Sequence, residues 1–159
     1  MDIRIYSDLH QEFEEKAIFT IAHLPDEKDQ ILILAGDIFR LKNISHYYDF
    51  FKDLSDRFHT VLYVFGNHEY YGYKMGKKYT KKAVKFFKDL PNLHILSRDT
   101  PIVEINNIQF IGATLWTNDK SVYAQRDKTN DFRKITYFDK GSYSRFNPNA
   151  WAKEFTKDY

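Results

Sequence analysis

The chain has no cysteine, so neither a disulfide nor a thiolate metal site can form in it. It also lacks any long apolar run. The longest, Ile31 to Ala35, is far too short to cross a bilayer. Met1 leads directly into a strand-like segment, without the basic and then apolar stretches of a secretory leader, so a cytoplasmic protein is expected. Charge of one sign is missing too: 24 basic and 22 acidic residues leave a net +2. A field that weak neither argues for a dedicated nucleic-acid binder nor excludes one. Histidine is absent from the last third, since all six (His10, His23, His46, His59, His68 and His94) lie at or before position 94.

What remains is ordinary for a soluble globular domain of 159 residues, apart from 18% aromatic content. Such a chain is long enough to bury a real core, and 1–159 reads as one domain without repeats or a low-complexity linker.

Three apolar runs organise the first half. Ile3 to Tyr6 alternates and stops at Ser7-Asp8; Ile31 to Ala35 stops at Gly36-Asp37; Val61 to Phe65 stops at Gly66-Asn67. Segments of helical spacing separate them. Tyr47, Phe51, Leu54 and Phe58 form one, with Asn43 or Ser45 as its cap. Tyr79, Ala83, Phe87 and Leu90 form another, closed by Pro91. Strand–helix alternation of this kind predicts an α/β fold with a parallel sheet. After Pro91 the pattern turns to short β segments, with Asn106-Asn107 as a hairpin turn between Ile102–Ile105 and Ile108–Ile111. Positions 118–149 read as a polar excursion, and Asn149 as the cap of a final helix starting at Ala150.

Each of the three strands delivers metal-type ligands just past its last apolar residue: Asp8-x-His10, then Asp37, then Asn67-His68-Glu69. In an open parallel sheet these carboxyl ends share one edge, where ligands bind. An extended Asp8-x-His10 would point both side chains the same way, toward one ion. The two oxygens of Asp37 suit a bridge between ions about 3.5–4 Å apart. Gly36 lets the backbone approach closely, Asn67 offers an amide oxygen, and His68 can donate a proton to a departing alkoxide. Oxygen and imidazole donors without sulfur favour two divalent ions such as Mn²⁺, with Fe or Zn²⁺ as alternatives.

Ser7-Asp8-Leu9-His10, Gly36-Asp37-Ile38-Phe39 and Gly66-Asn67-His68-Glu69 resemble the motifs of the calcineurin-like metallophosphoesterase family. Gly112-Ala113-Thr114-Leu115-Trp116-Thr117 and Asn130-Asp131-Phe132 extend the likeness to a bacterial and phage branch of phosphohydrolases. The resemblance implies an αββα sandwich and hydrolysis of a phosphomonoester or phosphodiester. It also implies metal binding by Asp8, His10, Asp37 and Asn67, with His68 as general acid. Asp131 is placed near the site on this likeness alone. Two later histidine motifs of the family are missing, so the domain reads as lacking its C-terminal part. Three explanations stay open: a fragment, a split gene whose second polypeptide completes the fold, or a shortened protein that dimerises and has lost full catalysis.

Weaker features have bland alternatives. Arg40 could meet a phosphate or form a surface ion pair, and Glu69 reads as a residue that orients a ligand rather than as a ligand. Tyr70, Tyr71 and Tyr73 read as packing beneath the metal loop, with nucleobase stacking as the alternative. Lys74, Lys77, Lys78, Lys81, Lys82, Lys85 and Lys88 read as the solvated face of a helix. Their functional alternative is attraction of an anionic substrate, which is the one hint of a nuclease. The rival to an enzyme is a non-catalytic half-domain that docks a partner.

Overall fold

A computed structural model describes residues 2–13, 20–116 and 129–158. Its centre is a parallel four-stranded sheet formed by β1 (Asp2–Tyr6), β2 (Gln30–Ala35), β3 (Thr60–Val64) and β5 (Leu93–Leu96), in the order β1-β2-β3-β5. Alternate residues of each strand face opposite sides. Leu32, Leu34, Val61, Tyr63, Leu93 and Ile95 enter the main core with Phe39, Phe51, Phe58 and Phe87. Ile31, Leu62 and Leu96, with Ile33 and Val64, face the other side and meet Val103, Ile105 and Phe110 of an antiparallel hairpin. That hairpin is β6 (Ile102–Ile105) and β7 (Ile108–Ile111), turning at Asn106 and Asn107 with φ of 50° and 63°. Two consecutive left-handed residues make the tight turn that matches strand twist, and asparagine tolerates it best after glycine.

The helices depart from the expected boundaries. Helix α1 (Tyr48–Arg57) follows a run of 3-10 turns, Leu41–Tyr47, so Asn43 and Ser45 lie in those turns and do not cap it. Helix α2 (Lys77–Phe86) stops five residues short of Pro91, where Phe87 leaves helical geometry and Leu90 is held in the following turn by bonding to Phe87 O. Between β1 and β2 the described residues form two 3-10 turns, Gln11–Phe13 and Glu27–Asp29.

The polar excursion is not all loop. Positions 117–128 lie outside the described residues, but α3 (Asp131–Lys134), β8 (Thr136–Asp139) and β9 (Ser142–Arg145) follow. Strand β8 pairs with β9 and with the two-residue β4 (Lys74–Met75). Phe132, Ile135, Tyr137 and Phe146, scattered singly among polar residues, are buried and hold this segment down. Helix α4 (Pro148–Asp158) starts with proline in its first turn, where the missing N–H is harmless. Its cap is Asn147, not Asn149: Ala150 N–H donates to Asn147 Oδ1 at 3.0 Å.

Candidate active site

The loops after β1 and β2 are stitched together by backbone bonds at one edge of the sheet, and side chains tie in the loop after β3. Asp8 N–H donates to Gly36 O, His10 N–H to Asp37 O and Gln11 N–H to Ile38 O, at 2.9–3.0 Å. The approach needs glycine. A Cβ on Gly36 (φ 94°) would lie 2.9 Å from Gly66 N, and one on Gly66 would lie 2.1 Å from Asp37 Oδ1.

Asp8, His10 and Asp37 all adopt positive φ, at 56°, 46° and 55°. The extended Asp8-x-His10 step expected from sequence is therefore wrong: the backbone bonds to Gly36 and Asp37 turn the chain through left-handed geometry instead. The ligand atoms still converge. One atom each from Asp8, His10 and Asp37 falls within 4.8 Å of the others, with His10 Nε2 3.8 Å from Asp8 Oδ1. Strained non-glycine backbone that persists at three such positions is held by its surroundings, a pattern concentrated at functional sites.

The third loop completes the edge. His68 N–H donates to Asp37 Oδ1 at 2.9 Å. Asn67 Nδ2 donates to Asp131 Oδ1 at 2.8 Å, and the Tyr71 hydroxyl donates to the same oxygen at 2.5 Å. Burial, and then Asp131 itself, push the Tyr71 pKa upward, so its proton stays in place. With the amide nitrogen engaged by buried Asp131, the Asn67 oxygen is the end left for a ligand. Asp131, placed near the site by resemblance, thus reaches it.

Glu69 is fully buried and holds the loops from behind. It accepts from Asp37 N–H, Ile38 N–H, Gly66 N–H and the Tyr63 hydroxyl at 2.7–3.0 Å. Burial pushes its pKa up to about 7, while the Ile38 N–H and the Tyr63 hydroxyl favour the ionised form. Tyr70 and Tyr71 are buried under the loop, and Tyr71 stacks on His68 at 4.2 Å. Arg40 lies over the Phe13 ring at 5.4 Å, with Nε 3.6 Å from Glu12.

Glu12 is the residue that sequence reasoning missed. Its side chain is almost completely buried, and its Oε1 lies 2.8 Å from His68 Nδ1 and 3.6 Å from His10 Nδ1. A charged residue two positions past a histidine carries no periodic signal, so only the fold reveals it.

A cleft of about 360 Å³ opens over this edge, bordered by Asp8, Asp37, Asn67, Leu115, Trp116 and Asp131. A neighbouring cavity of about 380 Å³ shares Thr114 and Trp116 with it. Its cations are partly neutralised, Lys77 by Asp99 at 2.5 Å and Arg98 by Glu154 at 2.7 Å. Thr117 lies outside the described residues. Among the described histidines, His10 and His68 reach the ligand cluster; His94, made less basic by burial, sits on β5.

Known proteins resemble this chain in sequence and fold. The chain is 28% identical to L509 of Acanthamoeba polyphaga mimivirus, an uncharacterised protein, over 96% of this chain and 59% of that one. It superposes on the crystal structure of phosphopantetheinyl hydrolase from Mycobacterium tuberculosis with a TM-score of 0.62 at 18% identity. That match covers 97% of this chain and 60% of the hydrolase. The chain thus spans about three fifths of the length of both. The calcineurin-like phosphoesterase profile matches residues 1–158, and with its α/β fold the chain belongs to the calcineurin-like phosphoesterase family.

Proposed function

We propose that this protein is a metal-dependent phosphoesterase that hydrolyses a phosphomonoester or phosphodiester at a two-metal site on the strand-end edge. The observation that carries the reading is the convergence of Asp8, His10 and Asp37 ligand atoms within 4.8 Å on adjacent strand-end loops. The donor set fits hard or borderline divalent ions, Mn²⁺ first and Fe or Zn²⁺ next, because it offers carboxylate, imidazole and amide oxygen without sulfur. Asp8 and His10 would hold one ion, Asn67 the other, and Asp37 both. When bound, such ions polarise a phosphoryl oxygen and make water acidic.

The chain's own residues supply orientation and a proton. Asp131 and Tyr71 fix the Asn67 amide, and Glu69 fixes the backbone that presents Asp37. His68 gives a proton to the leaving oxygen. Arg40 is engaged by Glu12 and Phe13, which favours a structural role over phosphate contact.

A second reading, a metal-binding half-domain completed by another polypeptide or a second copy, draws on a different observation. Ile3 and Ile5 on β1 and Ile111 on the hairpin are 46%, 63% and 73% exposed. Exposed large apolar side chains are what a docking partner would cover. Hydrolysis of bis(4-nitrophenyl) phosphate with added Mn²⁺ separates the two. The enzyme reading expects turnover by the chain, lost by about 10²–10⁴-fold in His68→Asn for substrates with poor leaving groups. An inert chain that gains activity only with a partner supports the second, and preference for DNA over a small diester would point to a nuclease.

A further inference from the structure

Glu12 sits behind two imidazoles and beside a guanidinium. Its side chain is 2% exposed, in the 3-10 turn Gln11–Phe13, and one oxygen faces three nitrogens: His68 Nδ1 at 2.8 Å, His10 Nδ1 at 3.6 Å and Arg40 Nε at 3.6 Å. The two rings meet edge to face at 4.3 Å. Among the described residues, Glu12 Oε2, His10 Nδ1 and Arg40 Nε are buried without a hydrogen-bond partner.

Two roles fit a carboxylate between two imidazoles. His10, Glu12 and His68 are close enough to hold a cation of their own. Arg40 decides against that. Its permanent charge lies 3.6 Å from the same Glu12 oxygen, where it would repel a dication in a medium that screens little. His10 also turns its other ring nitrogen, Nε2, toward Asp8. The remaining role is to orient an imidazole. A carboxylate can only accept, so the short contact requires the proton on His68 Nδ1.

We propose that Glu12 is a positioning residue for His68: its contact at 2.8 Å fixes the ring's orientation and its Nδ1–H tautomer, leaving Nε2 as the nitrogen that delivers the proton. Arg40 holds Glu12 in place from the other side, and Tyr71 limits ring rotation from below. This rests on His68 as the general acid. In the step served, a water oxygen forms the new P–O bond as the bond to the leaving oxygen breaks. The departing oxygen takes that electron pair and the Nε2 proton. His68 is left neutral with its Nδ1–H still on Glu12, and solvent returns the proton to Nε2 and accepts the one released by water.

The test reads His68 directly, without turnover. In protein labelled with ¹⁵N-histidine, long-range ¹H–¹⁵N spectra report which ring nitrogen carries hydrogen, and His68→Asn assigns the signals. Wild type is expected to show His68 as Nδ1–H with a far-downfield proton. Glu12→Gln should move the ring toward the Nε2–H form, and Glu12→Asp should keep Nδ1–H with a smaller downfield shift. A wild-type His68 in the Nε2–H form, or one unchanged by Glu12→Gln, overturns the proposal.

Kinetics separate its failure from that of the general-acid reading. Glu12→Gln should slow a phenyl phosphodiester about 10–100-fold more than a 4-nitrophenyl one, because the poorer leaving group depends more on the acid. If His68→Asn lacks that selectivity, the general-acid reading fails while the spectra still judge Glu12. If His68→Asn has it and Glu12→Gln does not, Glu12 is not the positioning group.

Discussion

At the scale of single residues, the site consists of side chains whose orientation is set by others. Asp8, His10 and Asp37 hold left-handed backbone, each at a cost of about 1–3 kcal/mol, because bonds to neighbouring loops over-determine it. Their place at the strand ends was legible, since each apolar run breaks into a residue of ligand type at its end. Their backbone geometry was not, because left-handed conformation at aspartate and histidine depends on partners some thirty residues away. Glu12 was not legible at all, and Asp131 only through family likeness. Asp131 carries a prediction of its own. Through Asn67 Nδ2 it aims the amide oxygen, so Asp131→Ala should weaken metal affinity by about 10–100-fold without unfolding the chain. Isothermal titration with Mn²⁺ measures this; unchanged affinity would remove Asp131 from the site.

At the scale of elements, the sheet and its hairpin followed from apolar periodicity, and helix ends did not. Tyr47, Phe51 and Leu54 announce α1, but the preceding 3-10 turns displace its start past Asn43 and Ser45. The polar stretch hid β8 and β9 because Tyr137 and Phe146 make contacts no local period reveals. Another long-range device ties elements together at Glu27. It accepts from Arg4 of β1 at 2.9 Å and from Arg57 at the end of α1 at 2.8 and 2.9 Å. The Arg57 guanidinium foremost, with the Leu24 N–H and Arg4, holds the Glu27 pKa down at about 2 against burial. The unfolded chain therefore binds this proton more readily than the folded one. The contribution is complete above the ordinary value of 4.5 and is lost as pH falls toward 2. Urea unfolding should show Glu27→Gln less stable by roughly 1–3 kcal/mol at pH 7. That difference should shrink between pH 4.5 and 2; a constant gap would contradict the ion-pair account.

At the scale of the whole molecule, the two faces of the sheet differ. Among the described residues, one is packed by Phe39, Phe51, Phe58 and Phe87, while the other meets the β6–β7 hairpin and leaves Ile3 and Ile5 exposed. Both relatives are longer than this chain. The strand-end edge does not depend on that face: its loops are joined by their own backbone bonds and by Glu69. Metal binding is accordingly a property this chain should display by itself.

The most direct test is electron paramagnetic resonance of Mn²⁺ titrated into the metal-free protein, where bound ions leave the free six-line signal. The account predicts saturable uptake approaching two ions per chain, with Asp37→Asn reducing it most because that carboxylate serves both. Free Mn²⁺ undiminished at millimolar concentration, or uptake identical in Asp37→Asn, would contradict it.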